Sequence, residues 1–99
     1  MEKYKLSLQF LYMKKGDKVT ITSVDPLDIE YIELTDVASD MFVFVVEENG
    51  NSDKVSEYIQ KKYTDVSEDQ IKNDFKDLMK FLSDKKILVA YSQAHSNSV

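Results

Sequence analysis

LTDVASDMFVFVVEENGNSDKVSEYIQKKYTDVSEDQIKNDFKDLMKFLSDKKIL, running from Leu34 to Leu88, divides into three amphipathic segments separated by turn residues. Asn49-Gly50-Asn51 breaks the first from the second, and Thr64-Asp65-Val66 leads from the second to the third. Ile71, Phe75, Leu78 and Leu82 recur at i, i+4, i+7 and i+11, which places all four on one face of a helix. Ser67 precedes that run as an N-cap, with Gln70 three residues on to complete a capping box. The middle segment spans roughly Asp53 to Tyr63 and buries Val55, Tyr58 and Ile59. A first helix starts after Thr35 or Asp36 and runs to about Glu48, with Met41, Phe42, Val45 and Val46 as its buried stripe. Its β-branched run from Val43 to Val46 lowers the local propensity.

Upstream, Leu6, Leu8, Phe10 and Tyr12 alternate with Ser7, Gln9, Leu11 and Met13, the period of a strand. Lys14-Lys15-Gly16-Asp17 is a hairpin turn, and Val19 to Thr22 a second, β-branched strand. Val24 to Asp28, with the lone proline Pro26, is a connection, and Ile29 to Leu34 a third strand. Short turns join sequential strands as neighbours, so the simplest sheet is a meander whose third strand keeps a free edge. Glu30 and Glu33 on that edge would discourage aggregation. The fold class expected is therefore α+β, a three-stranded antiparallel sheet followed by three helices in a winged helix-turn-helix-like order. Ile87 to Val89 forms a last strand or docking segment, so a single domain covers residues 1–89 and residues 90–99 form a flexible polar tail.

Ninety-nine residues suffice for one modest core, and 42% hydrophobic with 31% charged residues is ordinary for a globular chain. The absence of cysteine excludes disulfides, thiolate zinc sites and cysteine nucleophiles, and is compatible with the cytoplasm. No apolar run reaches the ~18 residues of a membrane span, and MEKYK leads into alternation instead of a signal-peptide core. A net charge of −5 weighs against a phosphate-backbone binder. The lone histidine, His95, has no ligand neighbours and reads as solvated, so no metal is expected. The acidic pairs Glu47-Glu48, Asp36/Asp40 and Asp74/Asp77 fall at solvated helix positions, and Gly16 and Gly50 make no phosphate loop. No catalytic residue and no cofactor site emerges.

At about 100° per residue, Lys72, Lys76 and Met79 share one flank of the third helix. Gln70, Asp74, Asp77 and Phe81 share the other. Ordinary charge separation on a solvated helix explains this arrangement, and so does a groove wall with a lysine rim facing an acidic, apolar ligand.

The order of elements resembles the PqqD family, the peptide-chaperone domains also called RiPP recognition elements. The resemblance covers Leu34 to Leu88. It rests on Leu34, Thr35-Asp36, Ala38-Ser39, Met41 and Phe42, then Gly50 and Ser52, then Ile59 and Tyr63. Asp65-Val66-Ser67, Asp74, Phe75, Leu78-Met79, Leu82 and Ile87-Leu88 complete it. Two positions depart from the pattern. Lys86 stands where a glycine usually follows the last helix, and Asp40 replaces an apolar residue, which implies a more exposed face on the first helix. The resemblance implies a non-catalytic module that captures the leader of a ribosomally made precursor peptide. It would present that peptide to a modifying enzyme, often a radical SAM protein, with no nucleic acid or membrane involved. The leader would add as a strand beside Glu30, Tyr31, Ile32, Glu33 and Leu34 and lie against Lys72, Phe75, Lys76 and Met79. The competing readings are a winged-helix DNA-binding regulator and a small adaptor for a folded partner. The chain has no arginine, the commonest bidentate base reader, which counts against the regulator.

Overall fold

The structure is a computed structural model that describes residues 2–27 and 29–92. Its elements are β1 (Glu2–Leu6), β2 (Phe10–Lys15), β3 (Lys18–Ser23), β4 (Tyr31–Thr35), α1 (Asp36–Glu48), α2 (Val55–Gln60), α3 (Glu68–Asp84) and β5 (Leu88–Ser92). The antiparallel meander β2-β3-β4 followed by three helices agrees with the α+β expectation. A second, two-stranded sheet pairs β1 with β5, from Glu2 opposite Ser92 to Leu6 opposite Leu88.

That second sheet corrects the single strand expected over Leu6 to Met13. The Ser7 carbonyl accepts the Phe10 N–H at 3.2 Å, and the Ser7 hydroxyl accepts the Gln9 N–H at 3.2 Å. The resulting turn passes the chain from one sheet to the other and leaves Leu8 at its tip, 97% exposed. Alternation in sequence continues through the turn, so period alone does not reveal the break. β5 runs to Ser92, across the boundary drawn at Ala90, and residues 93–99 with His95 lie outside the described residues.

α1 is the centre of the molecule. Met41, Phe42, Val43, Phe44 and Val45 are all buried, because sheet strands pack on one side of the helix and α2 and α3 on the other. A single buried stripe was too little for a helix enclosed on two sides, and burial here outweighs the weak propensity of the valine run. Thr35 makes no side-chain cap. The first N–H of α1, that of Asp36, instead donates to the Asp17 carbonyl in the β2–β3 turn at 2.9 Å, so the hairpin caps the helix. The helix ends at Asn49, which takes the left-handed conformation with φ 56°, and Gly50 follows because a Cβ there would collide with the Phe44 ring.

α2 is shorter than Asp53 to Tyr63, since an Asx turn from Asn51 to the Asp53 N–H occupies its expected start. In α3 the Ser67 hydroxyl accepts the Gln70 N–H at 3.1 Å as expected. The return half of the capping box is absent: the Gln70 side chain donates to Asp74 instead. Ile71, Phe75, Met79 and Leu82 form its buried face, and Leu78 is only partly covered.

Candidate functional site

The sheet order leaves β4 with one strand neighbour, β3, so its far side is an unpaired edge. Which main-chain groups face that edge follows from the ladder. Ser23 N–H donates to Glu30 C=O at 3.1 Å, and Asp36 N–H to Asp17 C=O at 2.9 Å. Antiparallel pairs alternate between exchanging bonds and not, and the register sets Ile21 opposite Ile32 and Val19 opposite Leu34. Hence Glu30, Ile32 and Leu34 spend their main-chain groups on β3. Tyr31 and Glu33 turn theirs outward. Side chains alternate too: Ile32 is half-buried and Leu34 buried against the helices, while Tyr31 and Glu33 stand exposed on the outer face.

The helical half of the expected site lies elsewhere. Lys72, Phe75, Lys76 and Met79 line one cleft of about 580 Å³, closed by Tyr4 of β1, Asn73, and Ser52 and Asp53 of the α1–α2 connection. None of Glu30 to Leu34 lines it, so the structure does not bring the two groups together. Phe75 and Met79 are each only 3% exposed and belong to the core. Lys72 is engaged by Glu68 at 3.0 Å, and that bond raises the lysine pKa above its ordinary value. The lysine flank therefore faces β1, a strand that helical spacing could not place there; the pairing of β1 with β5 carries that information.

The residue before β4 and the residues that follow α3 meet at a different place. Glu30 shares a cavity of about 450 Å³ with Phe10, Ser23, Lys85 and Lys86, and its Oε2 is buried without a hydrogen-bond partner. Lys86 N–H donates to Ser83 C=O and Ile87 N–H to Leu82 C=O, both at 2.9 Å, which is a Schellman motif. Lys86 occupies its left-handed position with φ 62°. The missing glycine thus leaves the cap geometry intact, at a cost of roughly 1 kcal/mol. The departure at position 86 bore in the sequence only on this cap; nothing there placed Lys86 beside Glu30. The other departure, Asp40, is not an exposed site. It accepts the Tyr63 hydroxyl at 2.7 Å and pairs with Lys62 at 3.2 Å, tying α1 to the segment after α2. Lys62 also bonds Asp17 at 3.0 Å, so this tie reaches the hairpin, and the two carboxylates, Asp17 first, raise its pKa. Glu47 is likewise engaged, by the Tyr12 hydroxyl at 2.7 Å.

Among the described residues no group of three or more His, Asp or Glu could hold a metal ion, and no helix is long and apolar enough to cross a membrane. No protein-family model matches the chain, and no curated protein does. Among solved structures the chain is similar to TbiB1 in complex with the TbiA(beta) leader peptide. The TM-score is 0.75 at 21% identity, over 90% of this chain and 99% of that one. At that identity the likeness establishes a shared fold.

Proposed function

We propose that this chain is a non-catalytic peptide-binding module of the RiPP recognition element type. It takes the leader of a ribosomally made precursor peptide as an antiparallel strand on the free edge of β4 and presents the peptide to a modifying enzyme, a radical SAM protein or another. The observation that carries this reading is the outward-facing main chain of Tyr31 and Glu33, in a fold shared with a protein solved in complex with a leader peptide. Ribosomal synthesis of the ligand puts the encounter in the cytoplasm. The end cavity beside Glu30 and the half-buried Ile32 supply side-chain contacts to the added strand. The lysine cleft is a separate surface.

Each edge residue can exchange one N–H and one C=O with the added strand, four hydrogen bonds in all for Tyr31 and Glu33. At ~0.5–1.5 kcal/mol net per bond these contribute about 2–6 kcal/mol, from which the ordering of the peptide subtracts. Millimolar affinity corresponds to about 4 kcal/mol, so edge pairing alone makes a weak complex and side-chain contacts must raise it. The test is amide exchange with and without a peptide selected against this chain from a randomised library. Slowed exchange at Tyr31 and Glu33 is expected. Unchanged exchange at both, with the peptide bound, would overturn the reading.

A further inference from the structure

The outer face of the β2-β3-β4 sheet is arranged in rows that an added strand would extend. Leu11, Thr22 and Tyr31 form one row, and Met13, Thr20 and Glu33 the next. Leu11 and Met13 are both open, at 59% and 69% exposed, and the first row ends at the edge on Tyr31, an aromatic ring 66% exposed. The second ends at the edge on a carboxylate. We infer that the leader this chain accepts carries a basic residue opposite Glu33 and a large apolar or aromatic residue opposite Tyr31. The residue between them, packed inward beside Ile32, is apolar. Read from N to C in an antiparallel strand the order is basic, apolar, aromatic. The inference rests on strand addition at β4 and specifies its ligand.

Parity sets the positions. Tyr31 and Glu33 direct their main-chain groups outward, so the peptide residues that bond them lie directly opposite, with side chains on the same outer face. The residue between them turns to the inner face, where Ile32 is half-buried against the core.

Charge sets the sign. Glu33 already pairs with Lys18 at 3.5 Å, and both side chains are about half exposed. Lys18 sits on β3, however, two strands from the added one. Its ammonium, 3.5 Å from the carboxylate, offsets part of that charge but reaches across from β3, whereas Glu33 is rooted on the edge strand, a direct neighbour ~4.8 Å from the added one. The carboxylate therefore governs the adjacent position. The sign is opposite to that expected from the lysine flank, which faces β1.

The experiment is selection of a randomised peptide library on the wild-type chain, followed by the register of one enriched peptide from interstrand NOEs. Lys or Arg should dominate opposite Glu33. Replacing that residue by Glu should weaken binding about two- to tenfold. Glu33→Lys, an exposed change, should reverse the preference and recover the Glu-bearing peptide. Peptides that slow exchange at Tyr31 and Glu33 yet show an acidic preference or none opposite Glu33 would overturn the charge assignment and leave strand addition standing. Peptides that bind without slowing exchange at those two residues would overturn both.

Discussion

At the β4 edge the polar groups on offer are main-chain; in the cleft between α3 and β1 they are side chains. Tyr31 and Glu33 offer donors and acceptors at fixed spacing, and any peptide able to extend can meet them. The cleft offers Lys76 and Lys72 above a floor of core residues, with Lys72 already held by Glu68. Exposed ion pairs contribute only ~0.2–1 kcal/mol each. A concave, charged surface is thus the weaker candidate for holding a strand, and a flat edge the stronger, because the edge presents groups that a strand otherwise leaves to water.

Phe75 is the residue whose loss would erase that distinction. It is 3% exposed in the core and also borders the cleft. Phe75→Ala should cost ~3–5 kcal/mol, a large part of a small domain's ~5–15 kcal/mol. Thermal melting checks this, and a melt within a few degrees of wild type would show that α3 is not anchored through it. Next in size is a main-chain change at the edge. Glu33→Pro removes an outward N–H while leaving the β3 ladder whole, as edge strands tolerate. Peptide affinity should fall tenfold or more with the fold intact, whereas Glu33→Gln should cost only a few-fold; titration calorimetry on both separates hydrogen bond from charge. Ile32→Pro would be a poorer probe, since the Ile32 N–H is spent on β3.

A gain is expected at the end of α3. Lys86→Gly relieves a left-handed lysine and should stabilise the chain by about 1 kcal/mol, a rise of roughly 4–8 °C in Tm at this size. Unchanged or lowered stability would mean that the lysine side chain, beside Glu30, contributes as much as the strain costs. The smallest effect belongs to the cleft. Lys72→Glu combined with Lys76→Glu should alter peptide affinity less than twofold, by the same titration. A several-fold loss would return the lysine flank to the site.

The elements themselves were legible in the sequence wherever a local pattern sufficed. Ser67 capped α3, Asn49-Gly50 ended α1 and the free edge followed from a meander. What stayed hidden depended on distant partners. The break at Ser7 to Gln9 preserves alternation, and only pairing with β5 shows that β1 belongs to another sheet. The enclosure of α1 by two layers turned an expected stripe into a continuous buried run. The same non-local pairing set the lysine flank against β1, so a helical wheel could group Lys72, Lys76 and Met79 but not name the wall they face. Asp40 looked like a departure because its partner, Tyr63, lies 23 residues away.

Strand addition at β4 is tested most directly by amide exchange at Tyr31 and Glu33, residue by residue, in the free chain and with a library-selected peptide bound. Both amides should exchange quickly when free and slow markedly on binding, while Ile32, already bonded to β3, changes little. Fast exchange at Tyr31 and Glu33 in the complex, with the peptide's NOEs falling on Tyr4, Lys76 or Met79 instead, would place the ligand in the cleft and contradict it.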